Sequence, residues 1–190
     1  MISFGVTGSL VTILLPFMKY IKSKPVKAQK FQLEFSNYEL FSGYIDNVLA
    51  KKNYEKRVLK NSIDNAEISM YFNNQHLNLL KAVALIRVSE VTEELIDKFD
   101  EEISNFFCDY YENEETHDYI DLIIILCVDR ITPVFHKYVN SNLQQEYKKG
   151  KLLVGISFGG KNIYISNPKG SFAYKKYKYL QKEFFELLRT

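Results

Sequence analysis

Residues 119–129 read YIDLIIILCVD, and the assignment of this run decides the fold. It is the most apolar stretch after residue 21, yet it falls well short of the ~20 residues that a helix needs to cross a hydrocarbon core. Acidic side chains stand near both of its ends. A short, Ile-rich apolar run bounded by charge is the pattern of a strand buried on both faces in the middle of a sheet.

The neighbouring segments extend that assignment in both directions. Residues 81–88, KAVALIRV, form a second buried-strand pattern. Between the two, SEVTEELIDKFDEEISNFFCDYY (89–111) sets Val91, Leu95, Phe99, Ile103 and Phe106 on one stripe of an amphipathic helix. Ser89 is its expected cap, and Glu93 and Glu94 sit in a first turn where the helix dipole favours acids. A short helix is expected from Pro133 to about Asn142. KLLVGISFGGKNIYIS (151–166) is two strand patterns joined at Gly159-Gly160, a hairpin signal. SFAYKKYKYLQKEFFELLR (171–189) follows as a helix docking through Phe172, Tyr179, Leu180, Phe184 and Leu187. The resulting unit β-α-β-α-β-β-α predicts an α+β or mixed α/β fold, a mixed sheet with flanking helices. Its closing hairpin argues against a purely doubly wound nucleotide fold.

Upstream, FQLEF (31–35) alternates as a short strand. NYELFSGYIDNVLAKKN (37–53) reads as a helix capped by Asn37, with Leu40, Phe41, Tyr44, Ile45, Val48 and Leu49 at helical spacing. EKRVLKNSI (55–63) is expected to continue as helix, AEISMYF (66–72) alternates as a strand, and NNQ (73–75) is expected to end it in a turn.

The first 21 residues, MISFGVTGSLVTILLPFMKYI, carry no charge before Lys19. Their length suits a single transmembrane helix. Gly5/Ser9 and Gly8/Thr12 form small-residue pairs of the kind used in helix packing in lipid. Lys19, Lys22, Lys24, Lys27 and Lys30 all follow the run, so the positive-inside rule places the N-terminus outside and the rest in the cytoplasm. The basic leading region and A-x-A-like site of a cleaved signal are missing. The expected organisation is a transmembrane helix over 1–21, a basic juxtamembrane connector over 22–30 and a cytoplasmic mixed α/β domain over 31–190, at the cell membrane.

The same stretch, ISFGVTGSLVTILLPFMKYIKS (2–23), is similar to the opening of the flavin-dependent cysteine decarboxylase family. There a short strand leads into a G-V-T-G-S loop whose backbone N–H groups hold an FMN phosphate. Gly5, Thr7, Gly8 and Ser9 match that loop. The resemblance implies a soluble FMN- or nucleotide-binding enzyme, as an alternative to the anchor; a buried core helix of a soluble domain is the third reading of this run.

A formal net charge of +2 conceals a split along the chain. Residues 90–121 hold thirteen acids and one base, Lys98, whereas residues 144–190 hold ten Lys or Arg against three Glu. The sequence assigns Lys19, Lys22, Lys24, Lys27 and Lys30, with Lys175, Lys176 and Lys178, to contact with an anionic membrane surface. Glu112, Glu114 and Glu115 are left to meet a basic protein partner. Tyr174, Tyr177 and Tyr179 interleave with these lysines, which also suits nucleic acid; lipid and protein are the expected partners ahead of it.

Chemical motifs are sparse. Asp129, Arg130 and His136 read as a salt-bridged turn and a helical residue more readily than as an acid/base cluster, because no nucleophile or oxyanion site accompanies them. FGGKN (158–162) lacks the spacing of a phosphate loop, and the hairpin supplies no E-x-K carboxylate for nuclease-type Mg²⁺. Cys108 and Cys127 read as buried free thiols suited to a reducing compartment, and His76, His117 and His136 are scattered. The sequence thus points to a membrane-anchored accessory or adaptor protein, without metal or cofactor, that acts by protein binding and not by catalysis. The alternatives are the FMN or nucleotide enzyme using Gly5–Ser9 and a soluble nucleic-acid binder using the basic C-terminal helix.

Overall fold

The computed structural model describes residues 28–59, 63, 66–76, 78–113, 119–141, 149–166 and 173–189. In chain order the elements are β1 (Ala28–Gln32), α1 (Tyr38–Lys51), β2 (Glu55–Leu59), β3 (Ala66–His76), β4 (Leu79–Val88), α2 (Glu93–Asn113), β5 (Tyr119–Val128), α3 (Pro133–Ser141), β6 (Lys149–Ser157), β7 (Asn162–Ser166) and α4 (Ala173–Leu187). The seven strands form one sheet in the order β1-β7-β6-β5-β4-β3-β2. β4, β5 and β6 are parallel, and every outer pairing is antiparallel.

The apolar run 119–128 becomes β5, the central strand, paired on both edges and covered on both faces. Ile124 and Leu126 face α2 and α3, where they meet Phe99, Ile103, Phe135 and Val139. Ile123, Ile125 and Cys127 face α1 and α4, against Phe41, Ile45, Tyr177 and Phe184. Ile124, Ile125 and Leu126 are fully buried, each worth on the order of 2 kcal/mol of transfer free energy. The result is a three-layer sandwich of helices, sheet and helices.

Local signals set the element ends. Asn37 caps α1, its Oδ1 accepting the Leu40 N–H at 2.9 Å. The β6–β7 hairpin turns over Gly159 and Gly160, and Lys161 adopts a φ of 48° as the chain re-enters the sheet. Gly155 lets α3 lie close on β6, since a Cβ there would stand 2.4 Å from Phe135 Cζ.

Several expectations are corrected. Glu55–Leu59 is an edge strand, not helix: α1 ends at Lys51, Asn53 turns the chain at a φ of 60°, and the segment then pairs along β3. Residues 73–75 continue β3 because Asn73 donates its side-chain amide to Lys52 O at 2.9 Å, which satisfies it inside the sheet. Thr92, not Ser89, caps α2 by accepting the Leu95 N–H at 3.3 Å. The Ser89 carbonyl instead receives the N–H groups of Asp129 and Arg130. β1 starts at Ala28, inside the expected connector and ahead of FQLEF. Cys108 is exposed, and Tyr179 is 40% exposed instead of docked.

The membrane assignment is the largest correction. Among the described residues no helix is long and apolar enough to cross a membrane. The longest, α2, has 21 residues but carries eight acids and one lysine, while the most apolar segment is strand β5. Residues 1–21, on which the transmembrane helix was placed, lie outside the described residues, as does the Gly5–Ser9 loop. The membrane-anchored accessory or adaptor protein with a single pass, its location in the cell membrane with the N-terminus outside, and membrane lipid as its partner are therefore not supported. The mixed α/β sheet with its terminal β-α-β-α-β-β-α order stands without them.

Candidate functional site

Three places on the sandwich gather polar chemistry. The first is the carboxyl edge of the parallel strands. Glu67 of β3 lies opposite Arg87 of β4 in register, but Arg87 Nη1 reaches Glu39 Oε1 at the start of α1, at 2.7 Å. The guanidinium stands 4.6 Å from the Tyr38 ring centroid, and Tyr38 Oη donates to Glu67 Oε1 at 3.4 Å. Hydrogen bonding to Glu39 raises Arg87 above its ordinary pKa. The Glu39 carboxyl is lowered by its own backbone N–H and then by Arg87. Burial pushes the Tyr38 phenol up, and it pushes the Cys127 thiol of β5 well above its usual range, so that this cysteine is no thiolate.

Glu67, Arg87, Ser89 and Asp129 line a shallow, open groove of about 470 Å³ at this edge. Its lining carries two acids, Glu67 and Asp129, against one base, Arg87, which is itself paired with Glu39, and this balance disfavours a phosphate. The strand order β6-β5-β4 also runs without reversal, with both crossover helices on one face, so the edge lacks the switch-point crevice where α/β proteins hold ligands. The arrangement braces α1 against the sheet. Asp129 and Arg130 form a turn, Arg130 pairing with Glu90 at 3.5 Å, and His136 packs on the Phe135 and Tyr164 rings, at 5.5 and 5.3 Å.

The second place is the amino edge of the same strands. Lys81 and Asp121 face each other across β4 and β5, but each finds its partner on α4. Lys81 Nζ lies 3.0 Å from Glu183 Oε2, and Lys176 Nζ lies 2.6 Å from Asp121 Oδ1. Burial lowers the Lys81 ammonium, but bonding to Tyr179 and Glu183 outweighs it and leaves the pKa raised. Burial pushes the Tyr54 phenol up to about 12. The space between these groups is only about 10 Å³, too small for a substrate. This cluster fastens α4 to the sheet.

The third place is the outward face of α4. Tyr177, Leu180, Phe184 and Leu187 turn into the core, and Tyr177 Oη and Gln181 Nε2 both donate to Ser166 O, at 2.5 and 3.0 Å. Steps of three and four residues then bring Lys175, Lys178, Tyr179 and Lys182 to the other side, with Arg189 just beyond the helix. Lys175, Lys182 and Arg189 are exposed and Lys178 half-buried; Lys182 pairs with Glu186 at 3.5 Å on the surface. Across the sheet, α2 presents Glu94, Asp97 and Glu101, all exposed, and its Glu93 and Asp100 pair with Lys137 and Lys151.

The lysines grouped together by sequence are thus separated. Lys175 and Lys178 share the outer face of α4, whereas Lys176 is drawn inward by Asp121. Lys30 falls on the opposite face of the sheet: its neighbour Phe31 packs on Phe185 of α4, at 4.9 Å between ring centroids, so alternation turns Lys30 away. Lys19, Lys22, Lys24 and Lys27 lie outside the described residues, as do Glu114 and Glu115, and Glu112 falls in the last turn of α2. The sequence reading missed the Arg87–Glu39 and Lys81–Glu183 pairs, whose partners are 48 and 102 residues apart. One signal was available: Lys81 and Arg87 are the charged residues of the otherwise apolar β4, and Asp121 is that of β5. Among the described residues no group of three or more His, Cys, Asp or Glu side chains is placed to hold a metal ion. No family model matches the chain, and no curated protein shows detectable similarity to it.

Proposed function

We propose that this chain is a nucleic-acid-binding domain that engages its ligand through the outward face of α4. The observation that supports this reading is the opposition of charge across the sheet. The basic, aromatic-bearing stripe of α4 lies on one face and the acidic helix α2 on the other. A polyanion approaching such a domain is attracted by one face and repelled by the other, so it is oriented before it makes contact. Lysines spaced along a helix can each neutralise a phosphate, while an exposed tyrosine offers a surface to a base.

The test is salt-titrated binding to a polynucleotide. If Lys175, Lys178, Lys182 and Arg189 each displace a counterion, log K should fall against log salt with a slope on the order of −3 for a single strand. The triple change Lys175→Gln, Lys178→Gln and Lys182→Gln should weaken binding and flatten the slope by about 2. Affinity indifferent to salt, or unaltered by the triple change, would exclude this face as the binding surface.

A further inference from the structure

We infer that the nucleic acid held by α4 is single-stranded, with a base stacked on Tyr179; this rests on α4 being the binding face. Among the described residues the exposed large hydrophobic side chains are Leu40, Val58, Tyr119 and Tyr179, and of these Tyr179 is the one set within the lysines of a helix face. It follows Lys175 by four residues and precedes Lys182 by three, so a strand whose phosphates meet those two ammonium groups passes over the ring. About 10 Å of helix axis separates Lys175 from Lys182.

The ring is also held in place from within. Lys81 Nζ lies 5.7 Å from its centroid, while Lys81 is itself pinned by Glu183 at 3.0 Å. A ring already fixed loses little freedom when a base settles on it, which favours stacking. Tyr177, two residues earlier, is by contrast fully committed inside, with 1% exposure and its hydroxyl on Ser166 O. In a duplex the base faces are hidden against one another; a single strand displays them.

The experiment compares three fluorescently labelled ligands of equal length by anisotropy: oligothymidylate, the same backbone without bases, and a duplex. Wild-type protein should bind oligothymidylate about tenfold more tightly than the abasic strand. Tyr179→Ala should abolish that preference without changing abasic binding, and Tyr179→Phe should keep it, with thermal melts confirming that both variants fold. Equal affinity for base-bearing and abasic strands, tighter binding of the duplex, or an undiminished preference in Tyr179→Ala would overturn the inference while leaving α4 as a polyanion face. Failure to bind any of the three would sink both.

Discussion

Lys176 Nζ sits 2.6 Å from Asp121 Oδ1, and it gets there through space that Gly150 leaves open. Asp121 is 4% exposed at the start of β5, and a Cβ on Gly150 would stand 2.6 Å from Lys176 Cε and 2.7 Å from Asp121 Oδ1. One ion pair thereby couples the terminal helix to the central strand.

Lys176→Ala should leave the Asp121 charge buried without its cation. Breaking a fully buried pair costs about 3–5 kcal/mol; because a third of the Lys176 side chain remains in water, about 2 kcal/mol is expected here. The double change Asp121→Asn with Lys176→Met should recover most of the loss in urea unfolding. A single variant as stable as the wild type would mean that the pair does not fasten α4.

Gly155→Ala tests the seat of α3. The added methyl would meet Phe135 Cζ at 2.4 Å and Val139 Cγ2 at 2.8 Å, so the helix must shift. Overpacking of this kind costs about 1–3 kcal/mol, and adding Phe135→Leu should relieve part of it. Thermal melts of the single and double variants decide the matter; an unshifted midpoint in Gly155→Ala would contradict the close packing.

Raising the pH above 10 should destabilise the fold through its buried tyrosines. Burial, the leading cause in each case, raises Tyr38, Tyr54, Tyr71 and Tyr177 above the ordinary value of 10.0, Tyr54 to about 12. Between pH 10 and 12 the unfolded chain therefore releases protons that the native chain keeps, and stability falls as pH rises. The slope is on the order of 1 kcal/mol per pH unit for each such tyrosine. Tyr54→Phe should flatten it in urea unfolding across this range, and stability constant from pH 9 to 12 would argue against buried phenols.

The acidic face should act on the ligand only at a distance. Asp97 and Glu101 on α2 lie beyond the sheet from α4, a full sandwich thickness away. With a screening length of about 8 Å at physiological salt, Asp97→Asn with Glu101→Gln should leave polynucleotide affinity unchanged. At 0.01 M salt, where the length is about 30 Å, the same pair should raise affinity measurably. A large effect at physiological salt would put α2 in direct contact with the ligand.

By itself the sequence determined which segments are strands and helices wherever burial was two-sided or amphipathic. The apolar run at 119–128 had to be central, the stripe from Val91 to Phe106 had to cover a face, Asn37 had to start a helix, and Gly159-Gly160 had to reverse the chain. These are short-range properties of period and capping. Glu55–Leu59 escaped because an edge strand buries almost nothing and carries no alternation to read. What only the tertiary structure decided is which charges meet and which remain outward. Lys176 and Lys178 look alike along the chain, yet two steps of helical rotation turn the first toward Asp121 and the second toward the outer stripe. Lys30 and Lys175 are equally basic in sequence, but the alternation of β1 places them on opposite sides of the sheet. A charge pattern along one dimension lacks that information, because the direction of each side chain is fixed by packing between elements far apart in the chain.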